Sequence, residues 1–405
     1  MRSSRWLVLA ALIAAGCGGS SGGSSDNGGG NSKPIKIGAS LPLTGDFSEP
    51  GKAAQQGYRV WESLTNAKGG LLGRKVQIVV KDDASNQNTV VADYNALIAK
   101  DKVDMLLGTF SSLLNLPAST VAEKNHMLYV EPAGGAPEIF SRGYKMVFFA
   151  QQATANHQGD VFAHYITSLP ASQRPKTAAY PTLDDPFAQP TSEGIEAIFK
   201  AAGIKTVYRK TYPADTNNFD SIVAGVKAAN PDIVINGATF EDGVSFDRAL
   251  LKANFKPKWL YQTSTPSFGD QFAKAIGPEN TTGIAYAVSH SVKAKTPGNA
   301  EFVAKYKEMY GGTEVPEDAA DAYAAAEVFA SAIKAVGSID DQAKLADWIR
   351  GHTVQTILGP LSWNANGSPK GEFLVGQWQK GAPEIVLPKD AATVPQVVDG
   401  WKPGG

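Results

Sequence analysis

From Lys33 onward, short apolar runs alternate with amphipathic segments, the pattern of a parallel sheet with crossover helices. Residues 35–41 predict a strand and 51–66 a helix, with Ala54, Tyr58, Trp61 and Leu64 at helical spacing and Gly69-Gly70 as its stop. A strand at 76–80 and a helix at 89–100 follow, the latter with Val90, Val91, Tyr94, Leu97 and Ile98 on one face. The series continues with 103–108, a helix from about Pro117, a strand at 127–130 and a strand at 146–150 that leaves this unit. The alternation then restarts with a helix at 156–169 and strands at 177–180, 206–209, 233–236 and 259–262, with helices between. A strand at 283–288 precedes helices at 299–310, 318–336 and 342–350. Beyond these the period changes to two, over 356–363, 373–378 and 384–387, which predicts a small antiparallel finish. Two α/β lobes of similar architecture are expected, and no short repeat points to a solenoid or propeller.

The N-terminal segment has a different pattern. Arg2 and Arg5 precede an apolar run over 6–15, too short to span a bilayer, which needs about 20 apolar residues. A basic start, an apolar stretch and small residues describe a secretory signal over 1–16. Ala14-Ala15-Gly16-Cys17 resembles a bacterial lipobox, although Ala14 stands where that motif most often has Leu. Processing there would leave Cys17, the only cysteine, as a lipidated N-terminus. Ordinary secretion with an incidental cysteine is the alternative. Residues 17–32 are almost wholly Gly, Ser and Asn and cannot bury a core, so they are expected to form a tether with an r.m.s. reach of roughly 20 Å. The remaining chain is ample for two cores, held by packing alone, since one cysteine allows no internal disulfide. Over all 405 residues the apolar content of 43% is ordinary for a globular protein, and a net charge of −1 argues against a nucleic-acid partner.

Enzyme signatures are missing: no G-x-S-x-G, H-E-x-x-H, P-loop, or G-x-G-x-x-G after a strand. Asp82-Asp83 at a strand end reads as a solvated strand end or helix cap sooner than as an acid/base pair. His157 and His164, seven apart on one expected helix, have the wrong spacing for helix-borne metal ligands. No metal or other cofactor is expected. What remains are polar, glycine-rich turns after the apparent parallel strands, where ligands bind in such folds. These are 43–51, Thr109-Phe110-Ser111-Ser112 and Ala133-Gly134-Gly135-Ala136. Ser112 offers a hydroxyl, and Gly134-Gly135 would let backbone amides approach a ligand closely.

The same residues carry a resemblance. Leu41-Pro42-Leu43-Thr44-Gly45, Gly51, Asn66-Ala67-Lys68-Gly69-Gly70-Leu71-Leu72-Gly73-Arg74 and Asp82-Asp83 are similar to the opening of the leucine/isoleucine/valine-binding proteins of ABC importers. Gly108, Ser112, Pro117-Ala118-Ser119 and 132–138 are similar to that family's ligand-binding turns, and Gly359-Pro360-Leu361-Ser362-Trp363, Gly367, Gly371 and Gln377-Trp378 to its C-terminal crossing segment. The similarity runs in one order over about 35–387.

The resemblance implies a type I periplasmic-binding fold, two Rossmann-like lobes joined by three hinge crossovers near Ala150, 283–288 and 354–360. Lobe 1 would comprise 33–150 and 286–353, and lobe 2 would comprise 151–285 and 354–405. By the same resemblance, the ligand carboxylate would be held by Ser112 and the amides at Ala133 and Gly135, with Phe187 covering the ligand. Amino-acid binders of this kind usually have Thr where Gly135 stands, and Glu where Thr263 stands, so the ammonium end is less well matched. Glu131, Glu241 or Asp242 could supply an anionic partner if one turned into the cleft. Otherwise a preference for amine-free carboxylates, aromatic ones among them, is expected, stacked near Phe47, Phe187 or Phe240.

The expected function is that of an extracytoplasmic solute receptor, monomeric and lipid-anchored, working with an ABC permease and ATPase. Its ligand would be a branched-chain or hydrophobic amino acid or a related small carboxylate. A sensory receptor uncoupled from transport and a secreted enzyme on the same fold class remain open at this point.

Overall fold

The computed structural model describes residues 33–312 and 314–404. The signal sequence, Cys17 and the tether lie outside the described residues. The first run of elements is β1 (Ile35–Leu41), α1 (Ser48–Ala67), β2 (Val76–Asp82), α2 (Gln87–Ala99), β3 (Met105–Leu107), α3 (Ser112–Lys124), β4 (Tyr129–Glu131), α4 (Pro137–Ser141) and β5 (Val147–Phe149). The second is α5 (Asp160–Ser168), β6 (Thr177–Leu183), α6 (Ala188–Ala201), β7 (Lys205–Tyr212), α7 (Asp220–Ala229), β8 (Ile233–Asn236), α8 (Phe240–Lys252), β9 (Trp259–Gln262), α9 (Gly269–Ile276) and β10 (Ala285–Val288). Then come α10 (Asn299–Tyr310), α11 (Glu317–Val336), α12 (Gln342–Gly351), β11 (Val354–Thr356), β12 (Gly359–Leu361), β13 (Leu374–Gln379) and β14 (Ala382–Leu387).

Two sheets result. The first is parallel, in the order β2-β1-β3-β4-β5. The second runs β14-β13-β10-β9-β8-β6-β7, parallel except where β13 and β14 join antiparallel at one edge. Apolar side chains fill both faces of each central strand, as a sheet covered by helices on both sides requires. Strand order reverses between β1 and β3 in one sheet and between β6 and β8 in the other. Ligand crevices in open α/β sheets form at the carboxyl ends of strands beside such reversals.

The chain passes between the sheets three times. It leaves the first sheet after β5, returns after β10 to lay α10, α11 and α12 on the first core, and leaves again before β13. Ala153, Ala287 and Phe373 form a small apolar cluster that brings the three passages together. Gln152 Nε2 donates to Ser289 O at 2.9 Å, joining the first passage to the second. The last passage lies later than 354–360. Val354, Ile357, Leu361 and Trp363 are buried in the first core, and Trp363 Nε1 donates to Phe149 O at 2.7 Å. The β11–β12 hairpin therefore packs with the first lobe, and residues 354–363 leave the expected second-lobe segment.

Two helices differ from their sequence reading for identifiable reasons. The helix expected from Pro117 begins at Ser112, capped by Ser111, whose Oγ accepts from Leu114 N at 3.3 Å. Pro117 sits inside it and cannot donate to Leu113 O; that carbonyl accepts from Gln87 Nε2 at 3.1 Å instead. The helix expected over 156–169 splits into a single 3-10 turn over Ala155–His157 and then α5.

The contact between α1 and α11 is unusually close. A Cβ built on Gly57 of α1 would lie 2.0 Å from Ala319 O of α11, so only glycine fits there. Alanines along α11 allow this approach, and the helix ends at Gly337 in the left-handed region (φ 75°).

Candidate functional site

The loops beside the two strand-order reversals face one another across a cavity. From the first lobe come Phe47 after β1, Phe110, Ser111 and Ser112 after β3, and Ala133 and Gly135 after β4. From the second come Asp185 and Phe187 after β6, Thr239 after β8, and Thr263 and Ser264 after β9. The passages between the lobes contribute Gln151, Ala153, Ala287 and Phe373, and α11 contributes Glu317, Asp318 and Asp321. Ser112, Ala133, Gly135, Phe187, Phe47 and Thr263 are thus brought together. Phe240 is not part of that lining; its ring meets Phe268 at a tilt with centroids 4.6 Å apart, and it packs against the second core.

The end of the cavity formed by the first lobe is rich in donors. Ser112 is 1% exposed, and its Oγ accepts from Ala136 N at 3.0 Å, which leaves the hydroxyl proton free to donate. As the first residue of α3, it also places that helix's unsatisfied N–H groups at the cavity. The glycine-rich turn differs from its expected role. Ala133 N donates to Glu131 Oε2 at 3.0 Å, and Gly134 N also bonds that carboxyl. A Cβ on Gly134 would lie 2.6 Å from Glu131 Oε2, so this glycine makes room for the buried carboxyl rather than for a ligand. Burial pushes Glu131 well above the ordinary carboxyl range. The carboxylate-binding amide expected at Ala133 is therefore turned inward. Gly135 N–H carries no bond to another described residue. At Gly135 a Cβ would meet Ala155 N at 3.2 Å and Phe149 Cε1 at 3.3 Å, which leaves little space for the threonine that related turns carry.

The second-lobe side is less polar than its residue types suggest. Thr263 Oγ1 donates to Ala238 O at 2.7 Å and accepts from Ala238 N at 2.9 Å, so its hydroxyl is committed to backbone. Asp185 Oδ1 accepts from Phe187 N at 2.8 Å and Ala188 N at 3.1 Å, capping α6 and fixing Phe187 over the cavity. Phe47 meets Phe110 edge-on at 5.6 Å, and with Phe149, Phe187 and Phe373 they supply apolar wall.

None of the three acids considered as ammonium partners lines the cavity. Glu131 is buried against the amides of its own turn, Glu241 is exposed, and Asp242 closes a capping box with Thr239 and accepts from Tyr212 OH at 2.6 Å. The carboxylates that do line it were missed in the sequence: Glu317, Asp318 and Asp321 on the first turns of α11, besides Asp185. Glu317 accepts from Ser289 N, and Asp321 Oδ1 accepts from Ser289 Oγ at 2.6 Å. Burial, with the negative charge of Glu317 adding to it, pushes the Asp318 carboxyl up to about 8. Burial likewise raises Glu317, and raises Asp321 well above the usual range, with Glu317 and Asp318 adding repulsion at Asp321.

The remaining sequence candidates are structural. Asp82 accepts from Leu43 N, Thr44 N, Thr44 Oγ1 and Ala84 N, which hold it below the usual carboxylate range despite some desolvation and pin the loop after β1. Asp83 accepts from Thr109 Oγ1 at 3.0 Å, and burial raises it to about 6. His157 and His164 are both exposed, and no acid or histidine cluster among the described residues is arranged to hold a metal.

A family model described as periplasmic binding protein matches residues 34–383. The Leu/Ile/Val-binding protein homolog 7 of Brucella suis biovar 1 is 28% identical over 384 residues, covering 90% of this chain and 94% of that one. The crystal structure of a leucine binding protein from Thermotoga maritima MSB8 superposes with a TM-score of 0.75 at 23% identity, covering 87% of this chain and 97% of that one. A solute binding protein of an ABC transporter from R. palustris, solved in complex with benzoate, superposes with a TM-score of 0.76 at 21% identity, covering 92% and 99%. These likenesses establish the two-lobed fold.

Proposed function

The chain belongs to the periplasmic binding protein family, and on that premise we propose that it is the solute-binding receptor of an ABC importer, closing its two lobes on a small carboxylate such as an amino acid. One observation carries the reading. One cavity lies between loops at the carboxyl ends of parallel strands from both sheets, with the Ser112 hydroxyl, Gly135 N–H and the start of α3 at one end and phenylalanines along its walls. Such a site holds a carboxylate by desolvated hydrogen bonds and an apolar side chain by packing. Nothing in that arrangement calls for bond breaking. The relatives named for leucine, isoleucine and valine, and the structural neighbour holding benzoate, support the same ligand class.

Closure about the three passages is the expected motion. Small-angle X-ray scattering of the purified protein is expected to show a smaller radius of gyration when a bound amino acid saturates it. An unchanged radius at saturation would contradict closure.

The receptor would work outside the cytoplasm, held near its permease by a lipid on Cys17 through the 17–32 tether. Among the described residues, no helix is long and apolar enough to cross a membrane. Cys17→Ala is expected to move the protein from the membrane fraction to the soluble or secreted fraction; undiminished membrane association would remove the lipid anchor.

A further inference from the structure

We propose that the first turns of α11, with Asp318 as the principal acceptor, form the ammonium-recognising end of the cleft, so that the ligand is an amino acid rather than an amine-free acid. This deepens the receptor reading and rests on it. The argument begins with charge. Asp185, Glu317, Asp318 and Asp321 line the cavity, and no Lys, Arg or His does so among the described residues. Burial already raises the three α11 carboxyls, with mutual repulsion adding to it at Asp318 and Asp321, so a bare carboxylate has no positive charge to meet at that end of the cleft. An ammonium would supply the missing positive charge and three donors.

The acids differ in how far they are committed. Asp185 caps α6 through two backbone N–H groups. Glu317 and Asp321 take hydrogen bonds from the backbone and hydroxyl of Ser289. Asp318 stays partly open to the cleft. No arginine or lysine figures among the groups that shift any of the three α11 carboxyls.

Gln151 gives an independent indication. It is 4% exposed, lines the same cavity, and its Oε1 has no hydrogen-bond partner. The amide orientation is fixed, because Nε2 donates to Pro132 O at 2.9 Å and the side chain also favours the ionised form of Asp321. Turning the amide over would set an oxygen against a carbonyl and a carboxylate. A buried, unpaired acceptor on a side chain that bonds Asp321 and lines the same cavity as Asp318 calls for a donor from the ligand. A metal ion fits less well, since these acids do not form a metal-holding group.

Glu317 and Asp318 also border a second cavity, whose other charged or titratable lining groups are Glu49 of α1, Asp270 of α9, Tyr286 of β10, His290 and Lys293 after β10, Glu314 before α11, and Glu384 of β14. Lys293 is paired with Glu384 at 3.0 Å. Burial takes His290 down to about 4, with its Nε2 bonded to Asn299 Oδ1 at 2.7 Å. At neutral pH neither offers Asp318 an unpaired positive charge.

The test is calorimetry on the full chain with the twenty L-amino acids and their matched 2-oxo acids, leucine against 4-methyl-2-oxopentanoate among them. At least one amino acid is expected to bind 100-fold or more tightly than its oxo counterpart. Asp318→Asn should weaken that amino acid at least tenfold and leave the oxo acid unchanged or tighter. Equal or tighter binding of the oxo acids, or an equal loss for both classes in the variant, would overturn the ammonium site and keep the receptor reading. Binding of neither class would remove both.

Folding of the variant is checked by melting without ligand. The folded Asp318 carboxyl, near 8, stands above the roughly 3.9 of an unfolded aspartate, so the native state binds the extra proton between those values. This group's contribution therefore makes the protein less stable as pH rises through that window. Asp318→Asn removes the penalty, and its melting temperature should exceed the wild-type value by a margin that grows from pH 5 to pH 8. Lost amine binding in a variant that melts higher is not unfolding; a variant that melts lower at pH 8 would show that Asp318 is not held as an uncompensated acid, and would overturn the proposal.

Discussion

Gly57→Ala is expected to lower the melting temperature, by up to about 12 °C, and to weaken ligand binding, although the residue lies outside the cavity lining. The added Cβ would be 2.0 Å from Ala319 O, 2.8 Å from its C and 2.9 Å from its Cα, all backbone atoms that no rotamer change can move aside. The two helices must separate. Overpacking of this kind costs about 1–3 kcal/mol, occasionally more. A gain of up to about 1 kcal/mol in helix propensity offsets part of it. A domain of 150–250 residues loses roughly 2–4 °C per kcal/mol. Ala319 directly follows Glu317 and Asp318, so the same displacement shifts the acidic end of the cleft. An unchanged melting curve would show that the two helices can part without cost.

Ser112→Ala should weaken a carboxylate ligand by ~1.5–3 kcal/mol, the range for a hydrogen bond to a charged group, or about ten- to 150-fold in Kd. It should also lower the stability of the empty protein. Ala136 N donates to Ser112 Oγ at 3.0 Å, and losing that acceptor leaves a buried N–H unpaired, at ~1–3 kcal/mol. Thr263→Val makes the comparison. That hydroxyl is spent on Ala238, so its loss should lower stability and leave affinity nearly unchanged. If Ser112→Ala binds as well as the wild type, the carboxylate does not sit at α3.

The alternating pattern along the chain was enough to read the parallel strands and most of the helices, because long amphipathic segments between apolar runs leave few alternatives. Where it misled, local chemistry had been overridden. Pro117 marks a helix start by propensity, yet a side chain from α2 supplies the bond it cannot make. The β11–β12 hairpin has the period of a late edge strand, yet Trp363 anchors it in the first core. Gly134-Gly135 reads as a turn opened for a ligand, while half of that opening accommodates Glu131.

The acidic end of the cleft was the largest omission. Acidic residues in the first turn of a helix are ordinarily solvated partners of its dipole, and Glu317 and Asp318 looked no different. A signal was nevertheless present. Asp318 and Asp321 lie within Pro316-Glu317-Asp318-Ala319-Ala320-Asp321-Ala322-Tyr323-Ala324, where small and apolar residues surround the acids on every side of the helix. A helix apolar all round is a buried helix, so acids within it are buried too.

The most direct measurement is to denature freshly purified protein and identify by mass spectrometry the small molecule it releases. The predicted result is one compound, near one per chain, that carries both a carboxylate and an amine beside an apolar side chain. Release of a stoichiometric compound lacking a carboxylate, such as a sugar, would contradict the assignment of the cleft.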